Sequence, residues 1–219
     1  MDYYTKSDYE DDLELDAERF DGLPSEETVD RTAEAIEERN IEVERFETPA
    51  TAREHLVEQI DEGDRVGNGS STTLNEIGFT ELLEQADGFT YLPDEIRAID
   101  DDEQRRAARR EAQTADVWFD SPNAIAASGE IIAANASGSG LGAWPFAADR
   151  LVLVSGTNKI VSSYQEALSR LREFAFTLED ARSQDVYGSG SVVGSLLSYE
   201  YEQTDGRTRL VLVDERLGF

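Results

Sequence analysis

Short apolar runs alternate with helix-patterned stretches along most of this chain, and that alternation limits the fold more than any other feature. Strand patterns fall at 41–46, 64–67, 89–92 and 116–120, with helical patterns between them that start at Thr48-Pro49, near Thr73 and at 103–114. The run 150–155 (Arg-Leu-Val-Leu-Val-Ser) is apolar almost throughout, as in a strand buried on both faces. Parallel strands need crossovers of helical length, whereas antiparallel ones need only a tight turn. The pattern therefore predicts an α/β fold, a mainly parallel open sheet flanked by helices on both faces. Ser25 opens a helix with the stripe Val29, Ala33 and Ile36, and Ser163 with Glu166 has capping-box spacing. Ser128-Gly129 suits a two-residue hairpin turn, and Asp205-Gly206, between 196–202 and 209–214, predicts a C-terminal β-hairpin. The stretch 175–195 is only weakly patterned. Residues 1–22, dense in Asp and Glu, are expected to form a mobile acidic arm docked by Tyr3, Tyr4 or Tyr9, leaving 23–219 as a single domain.

Within this frame one stretch carries unusual chemistry: Asp64-Arg-Val-Gly-Asn-Gly-Ser-Ser-Thr-Thr-Leu-Asn-Glu-Ile-Gly78. A strand runs into a turn with Gly67 and Gly69 and four consecutive hydroxyl residues, Ser70, Ser71, Thr72 and Thr73. Thr73 and Glu76 then have the spacing of a capping box. Glycines permit close backbone approach, and hydroxyls with free helix N–H groups can receive an anion. The same residues also describe an ordinary capped strand–turn–helix joint, and both readings stand at this point. The stretch is neither a Walker A loop nor a GxGxxG fingerprint.

Ligands of open α/β sheets sit beyond the carboxyl ends of the strands. Asn123 follows the strand at 116–120, and Asn158 and Lys159 follow that at 150–155, so these residues could converge with the 67–73 turn. Glu130 could reach the same place from its hairpin as a proton-transfer base, although a glutamate in so acidic a chain is most often solvated. Lys159 stands out because the chain has 18 arginines and only two lysines, Lys6 and Lys159. A lysine can balance an anion or titrate when buried; the alternative is a structural ion pair. Trp118 and Trp144 are read as core or pocket lining.

The chain carries 48 acidic and 20 basic residues, a net charge of −28. Acids spread over nearly every segment point to adaptation to high intracellular salt rather than to nucleic-acid mimicry, and nucleic acid is not an expected partner. The only basic cluster, Arg105, Arg106, Arg109 and Arg110, has acids on either side and reads as an ion-paired helix face. Cysteine is absent and His55 is the only histidine, so thiolate, iron–sulfur and His-rich metal sites are excluded and no metal or cofactor is expected on this chain. His55 is expected at the surface or its boundary. No apolar run spans a membrane and no signal peptide is recognisable, which makes the cytoplasm the expected location.

Four ordered segments resemble the LUD-domain family, which includes the lactate-utilisation protein C and YkgG-like proteins. They are Gly69-Ser-Ser-Thr-Thr-Leu-Asn-Glu-Ile-Gly78, Ala115-Asp-Val-Trp-Phe-Asp-Ser-Pro-Asn-Ala-Ile125, Ser128-Gly129-Glu130 and Gly156-Thr-Asn-Lys-Ile-Val161. The ending Val211-Leu-Val-Asp-Glu-Arg-Leu-Gly-Phe219 is similar to that of some stand-alone members, and the resemblance spans 23–219. It implies a fold like that of the glucosamine-phosphate deaminase, ribose-phosphate isomerase and CoA-transferase superfamily (NagB/RpiA/CoA-transferase-like). In the sugar-phosphate members of that superfamily a turn like Gly67-Asn-Gly-Ser-Ser-Thr holds phosphate. Ser128 departs from the family, where an aspartate commonly precedes the hairpin glycine.

The resemblance implies a non-iron–sulfur component of L-lactate oxidation to pyruvate. It binds a small carboxylate or phosphate and acts with an iron–sulfur protein and a further subunit. Two other expectations come from different classes. The phosphate-like turn suggests a self-sufficient enzyme on a sugar phosphate or CoA-type substrate, with Lys159 as anion partner and Glu130 as base. Ser128 suggests a non-catalytic ligand-binding or regulatory module.

Overall fold

The computed structural model describes residues 3–219. Its strands are β1 (Glu42–Phe46), β2 (Arg65–Asn68), β3 (Thr90–Tyr91), β4 (Val117–Asp120), β5 (Ala124–Ala126), β6 (Ile131–Asn135), β7 (Arg150–Gly156), β8 (Ile160–Val161), β9 (Ser195–Tyr199) and β10 (Thr208–Val213). Six of them form an all-parallel sheet in the order β1-β10-β7-β4-β2-β3. The other four form a smaller sheet, β8-β5-β6-β9, whose β5/β6 and β6/β9 pairs are antiparallel.

The helices are α1 (Ala17–Phe20), α2 (Glu26–Glu37), α3 (Pro49–Val57), α4 (Thr72–Glu76), α5 (Phe79–Gln85), α6 (Leu92–Arg97), α7 (Asp102–Glu111), α8 (Tyr164–Ser169) and α9 (Phe176–Tyr187). A π-type segment, Arg170–Ala175, joins α8 to α9 without a break. Ser25, Thr48 and Ser163 cap α2, α3 and α8 with their hydroxyls, as their spacing predicts. At α4 the cap is Ser71, which accepts the Leu74 N–H, and not Thr73. Glu76 instead accepts the backbone N–H groups of Lys6 and Gly218, so its carboxylate fastens two distant segments.

The central strands alternate strictly between two cores. Trp118, Leu151, Leu153, Leu210 and Leu212 face a layer that holds α2, Trp144 and the small sheet. Val117, Phe119, Val152, Val154, Val211 and Val213 face α3, α4 and α5. Burial on both faces is why these strands read as continuous apolar runs.

The two C-terminal strands are present but do not pair with each other. β9 lies antiparallel to β6, with Leu197 opposite Ala133, whereas β10 inserts in parallel between β1 and β7. The Asp205-Gly206 turn exists, with Gly206 at φ +71, but a turn fixes direction and not pairing. The buried Glu202 carboxylate accepts the Tyr199 and Thr208 hydroxyls and Arg207, and this cluster pins the crossing from one sheet to the other. Helix α9 escaped the periodic pattern because its buried face is Leu178, Arg182 and Ser183, largely polar.

The N-terminal segment is laid against the domain. Phe20 is buried with Phe174 and Phe219, the Tyr3 hydroxyl donates to Glu84, and the Tyr9 hydroxyl donates to Asp185. Lys6 is buried in an ion pair with Asp21 at 2.7 Å. Among the described residues no helix is long and apolar enough to cross a membrane.

Candidate functional site

At the carboxyl ends of β2 and β4 the chain leaves the parallel sheet and opens a cleft of about 600 Å³. Its floor is Asp120, the last residue of β4, only 8% exposed. Two indoles aim at one carboxylate oxygen: Trp144 Nε1 donates to Asp120 Oδ2 at 2.9 Å and Trp118 Nε1 at 3.4 Å. The Ser121 N–H donates to Oδ1 at 2.9 Å. Burial pushes the Asp120 carboxyl up to about 6, and the indoles, the Ser121 amide and the positive field of Lys159 keep it from going higher. A carboxylate poised near neutrality in a cleft is suited to exchanging protons with a ligand.

The glycines of the turn serve this floor. A Cβ on Gly69 would lie 2.4 Å from Asp120 Oδ1, and one on Gly67 would lie 2.3 Å from the Trp118 ring. Both therefore make room for the protein's own side chains, and Gly67 does not line the cleft. Ser70, Ser71, Thr72 and Thr73 all do. Ser71 is occupied in capping α4, while Thr73 is buried and turned inward.

Behind Thr73 lies Lys159, completely buried. Its Nζ is 2.9 Å from Thr73 Oγ1, 2.9 Å from Ser121 Oγ, 2.9 Å from the Pro122 carbonyl and 3.2 Å from the Phe219 backbone oxygen. Burial, helped by the nearby Arg170 guanidinium, holds this amine well below the ordinary lysine range. The expected meeting of Lys159 with the hydroxyl turn is thus present, but Lys159 touches the turn from inside the protein and does not line the cleft.

The remaining candidates divide. Asn123 lines the cleft, and its side chain accepts the Ala134 N–H while its carbonyl accepts from Arg170. Asn158 is buried away from it: its amide donates to Asp21 at 2.6 Å and its oxygen accepts the Leu217 N–H, which fastens the N- and C-terminal segments together. Glu130 is not brought to the cleft. Arg39 grips it at 2.6 Å and the Ser128 hydroxyl donates to it. Burial raises the Glu130 carboxyl, but those two partners outweigh it and leave the group below the usual glutamate range. Ser128 therefore acts on Glu130 and not on the cleft.

Asp120 and Ser121 are the site residues that the sequence reading passed over. One signal was present: an acid that ends an apolar strand in a parallel sheet points at the ligand crevice. Three arginines also stand on the cleft walls. Arg97 is held by Glu84 and Asp94, and Arg182 by Glu179, whereas Arg109 has no ion pair among the described residues. Nor do the described residues gather three His, Asp or Glu side chains as a metal site.

A family model described as LUD domain matches residues 29–187. Among solved structures, a DUF162 family protein from Deinococcus radiodurans is similar at a TM-score of 0.51 and 16% identity, over 88% of this chain and 98% of that one. Likeness at that identity speaks for the fold alone. No curated protein matches the chain. The family-model match coincides with the resemblance seen in the ordered motifs of the turn, the β4–β5 segment, the hairpin and the Lys159 loop.

Proposed function

The chain belongs to the LUD-domain family, a family associated with lactate utilisation, and from that premise we propose that it is the non-iron–sulfur component of L-lactate oxidation to pyruvate. The family match carries the reading, and the site chemistry supports it. Oxidising a 2-hydroxy acid removes two electrons and two protons. A chain without cysteine leaves the electrons to an iron–sulfur partner and a further subunit, and supplies the binding cleft and a proton acceptor. Asp120 is that acceptor, since it titrates at about 6 on the cleft floor. The Ser70 and Thr72 hydroxyls and Arg109, which has no ion pair among the described residues, line the same cleft and are the donors for a carboxylate or phosphate.

Purification from the native host in high salt tests this: an iron–sulfur protein is expected to accompany the chain, and deletion is expected to abolish growth on lactate. A solitary protein whose deletion leaves lactate growth unchanged overturns the proposal. A second reading, an enzyme acting alone on a sugar phosphate or CoA-type substrate, draws support from cleft size. About 600 Å³ is within the range of cofactor-sized ligands and far exceeds a three-carbon acid. Turnover of a sugar phosphate or acyl-CoA by the isolated chain is expected on that reading, and its absence in folded protein rules it out.

A further inference from the structure

Two stretches of this acidic chain carry no charge at all. Residues 131–148 and 186–199, 18 and 14 in length, contain neither acid nor base, in a chain of which 31% is charged. The fold sets them side by side. β6 and β9 pair from Ile131–Tyr199 to Asn135–Ser195, the Trp144 and Tyr199 rings meet edge-on at 6.5 Å, and a Cβ on Gly138 would touch Ser195 Oγ. We propose that this charge-free surface, centred on the open edge of β9, is the contact through which two copies of the chain form a dimer.

Burial accounts for the apolar start of β6 but not for what stands in water. Seven large apolar side chains are exposed among the described residues, and four of them lie on these two stretches: Phe146 at 90%, Tyr187, Val192 and Leu196. Apolar groups gathered on stretches without charge, on a surface otherwise rich in carboxylates, mark a place that another molecule covers.

The strand edge points the same way. β9 ends the small sheet, with β6 on one side and no strand on the other. In β6 the Ile132 carbonyl accepts the Asn123 N–H and the Ala134 N–H donates to the Asn123 side chain, so Ile132 and Ala134 face away from β9. The register then turns the backbone groups of Ser195, Leu197 and Tyr199 toward β6, and those of Leu196 and Ser198 outward. No backbone partner meets these outward groups among the described residues. Neither a charge nor a proline blunts the edge between Ser195 and Tyr199.

Charge identifies the occupant. A different protein that approaches a chain of net charge −28 can answer its carboxylates with cations and needs no neutral strip. A second copy cannot, because at a two-fold contact the same patch meets itself and a carboxylate near the axis faces its own counterpart. The edge of β9 is where two such chains meet without that repulsion. An antiparallel strand pair is also self-complementary: Leu196 exchanges both backbone bonds with Ser198 of the second copy, and the reverse. In that register Glu200 lies opposite Gly194 of the second copy and not opposite another glutamate.

Sedimentation of the full chain in molar KCl, over a series of concentrations, tests this. A mass twice the 24.3 kDa of one chain is expected. Leu196→Asp places a carboxylate beside its own copy and is expected to weaken the dimer at least ~10-fold. Ser198→Pro removes an outward N–H that the β6 ladder does not use, and the same loss is expected, with near-UV circular dichroism reporting that the fold survives. Because a variant can fail to fold, amide exchange on the unaltered chain supplies a second measurement. The Leu196 and Ser198 amides are expected to be protected at high concentration and to lose that protection on dilution. A monomer throughout, a dimer that both folded variants leave intact, or amides that exchange equally fast at every concentration overturns the proposal. So does a monomer that carries a different protein on β9, released by Leu196→Asp, which gives the surface to that partner. Neither lactate nor an iron–sulfur protein enters the mass or exchange measurements, so their failure leaves the lactate reading standing.

Discussion

Asp120 is held between two opposed influences, burial that favours its neutral form and three N–H donors that favour its anion, and burial prevails. The consequence for stability has a definite sign. The folded carboxyl titrates at about 6 against 3.8 for the unpaired group, so the folded state binds the proton more tightly. This group therefore costs nothing below the unfolded value, and its cost grows as pH rises between the two and is complete above about 6. Two pKa units correspond to about 3 kcal/mol. Asp120→Asn cannot ionise, so its stability relative to the parent is expected to improve by up to about 3 kcal/mol between pH 4 and pH 8. Chemical denaturation in high salt at several pH values measures this, and a pH-independent difference would contradict it. On the proposed chemistry the same variant loses turnover, and parent activity rises with pH through about 6. The chain alone gave Asp120 only its place at a strand end; its enclosure was not legible, because it is one of 48 acids and only the fold buries it. Lys159 was easier to single out, being one of two lysines, but its enclosure behind Thr73 was not visible.

Among the elements, local chemistry was legible and long-range pairing was not. Side-chain caps at Ser25, Thr48 and Ser163, and the apolar run of β7, follow from spacing and composition. The start of α4 moved to Ser71 because two hydroxyl residues compete for the cap and Glu76 is committed elsewhere. The expected hairpin became two strands in two sheets because Leu210 to Val213, apolar on both faces, suits a sheet interior better than an exposed ribbon. The 67–73 turn carries its own test. Gly69→Ala forces a methyl against the Asp120 carboxylate and is expected to cost about 1–3 kcal/mol. Gly22→Ala, whose Cβ would meet nothing nearer than 3.5 Å, is expected to leave stability nearly unchanged. Melting temperatures of the two variants decide, and equal values would show that the turn relaxes freely.

At the scale of the whole molecule, charge and lysine usage go together. Both lysines are buried, so the cations on the described surface are arginines, in a chain of net charge −28. We expect the folded state to depend on salt, because dilute buffer leaves the carboxylates unscreened and their repulsion acts on the compact state. The melting temperature should climb steadily from dilute buffer to molar KCl, and equal values in the two would dismiss salt adaptation.

The strand order also governs how the chain is made. β1 touches the parallel sheet only through β10, with Glu42 opposite Arg209. During translation β1 therefore emerges well before β10 and has no strand neighbour until β10 follows. Until then an open backbone edge faces solvent beside an incomplete core, the situation that invites chaperones and wrong pairings. A product that lacks β10 keeps the pairs β7-β4-β2-β3 but leaves β1 and the outer edge of β7 without a strand partner. Chains that stop short of β10 therefore carry an unpaired strand and an open edge, which exposes them to wrong pairing and proteolysis.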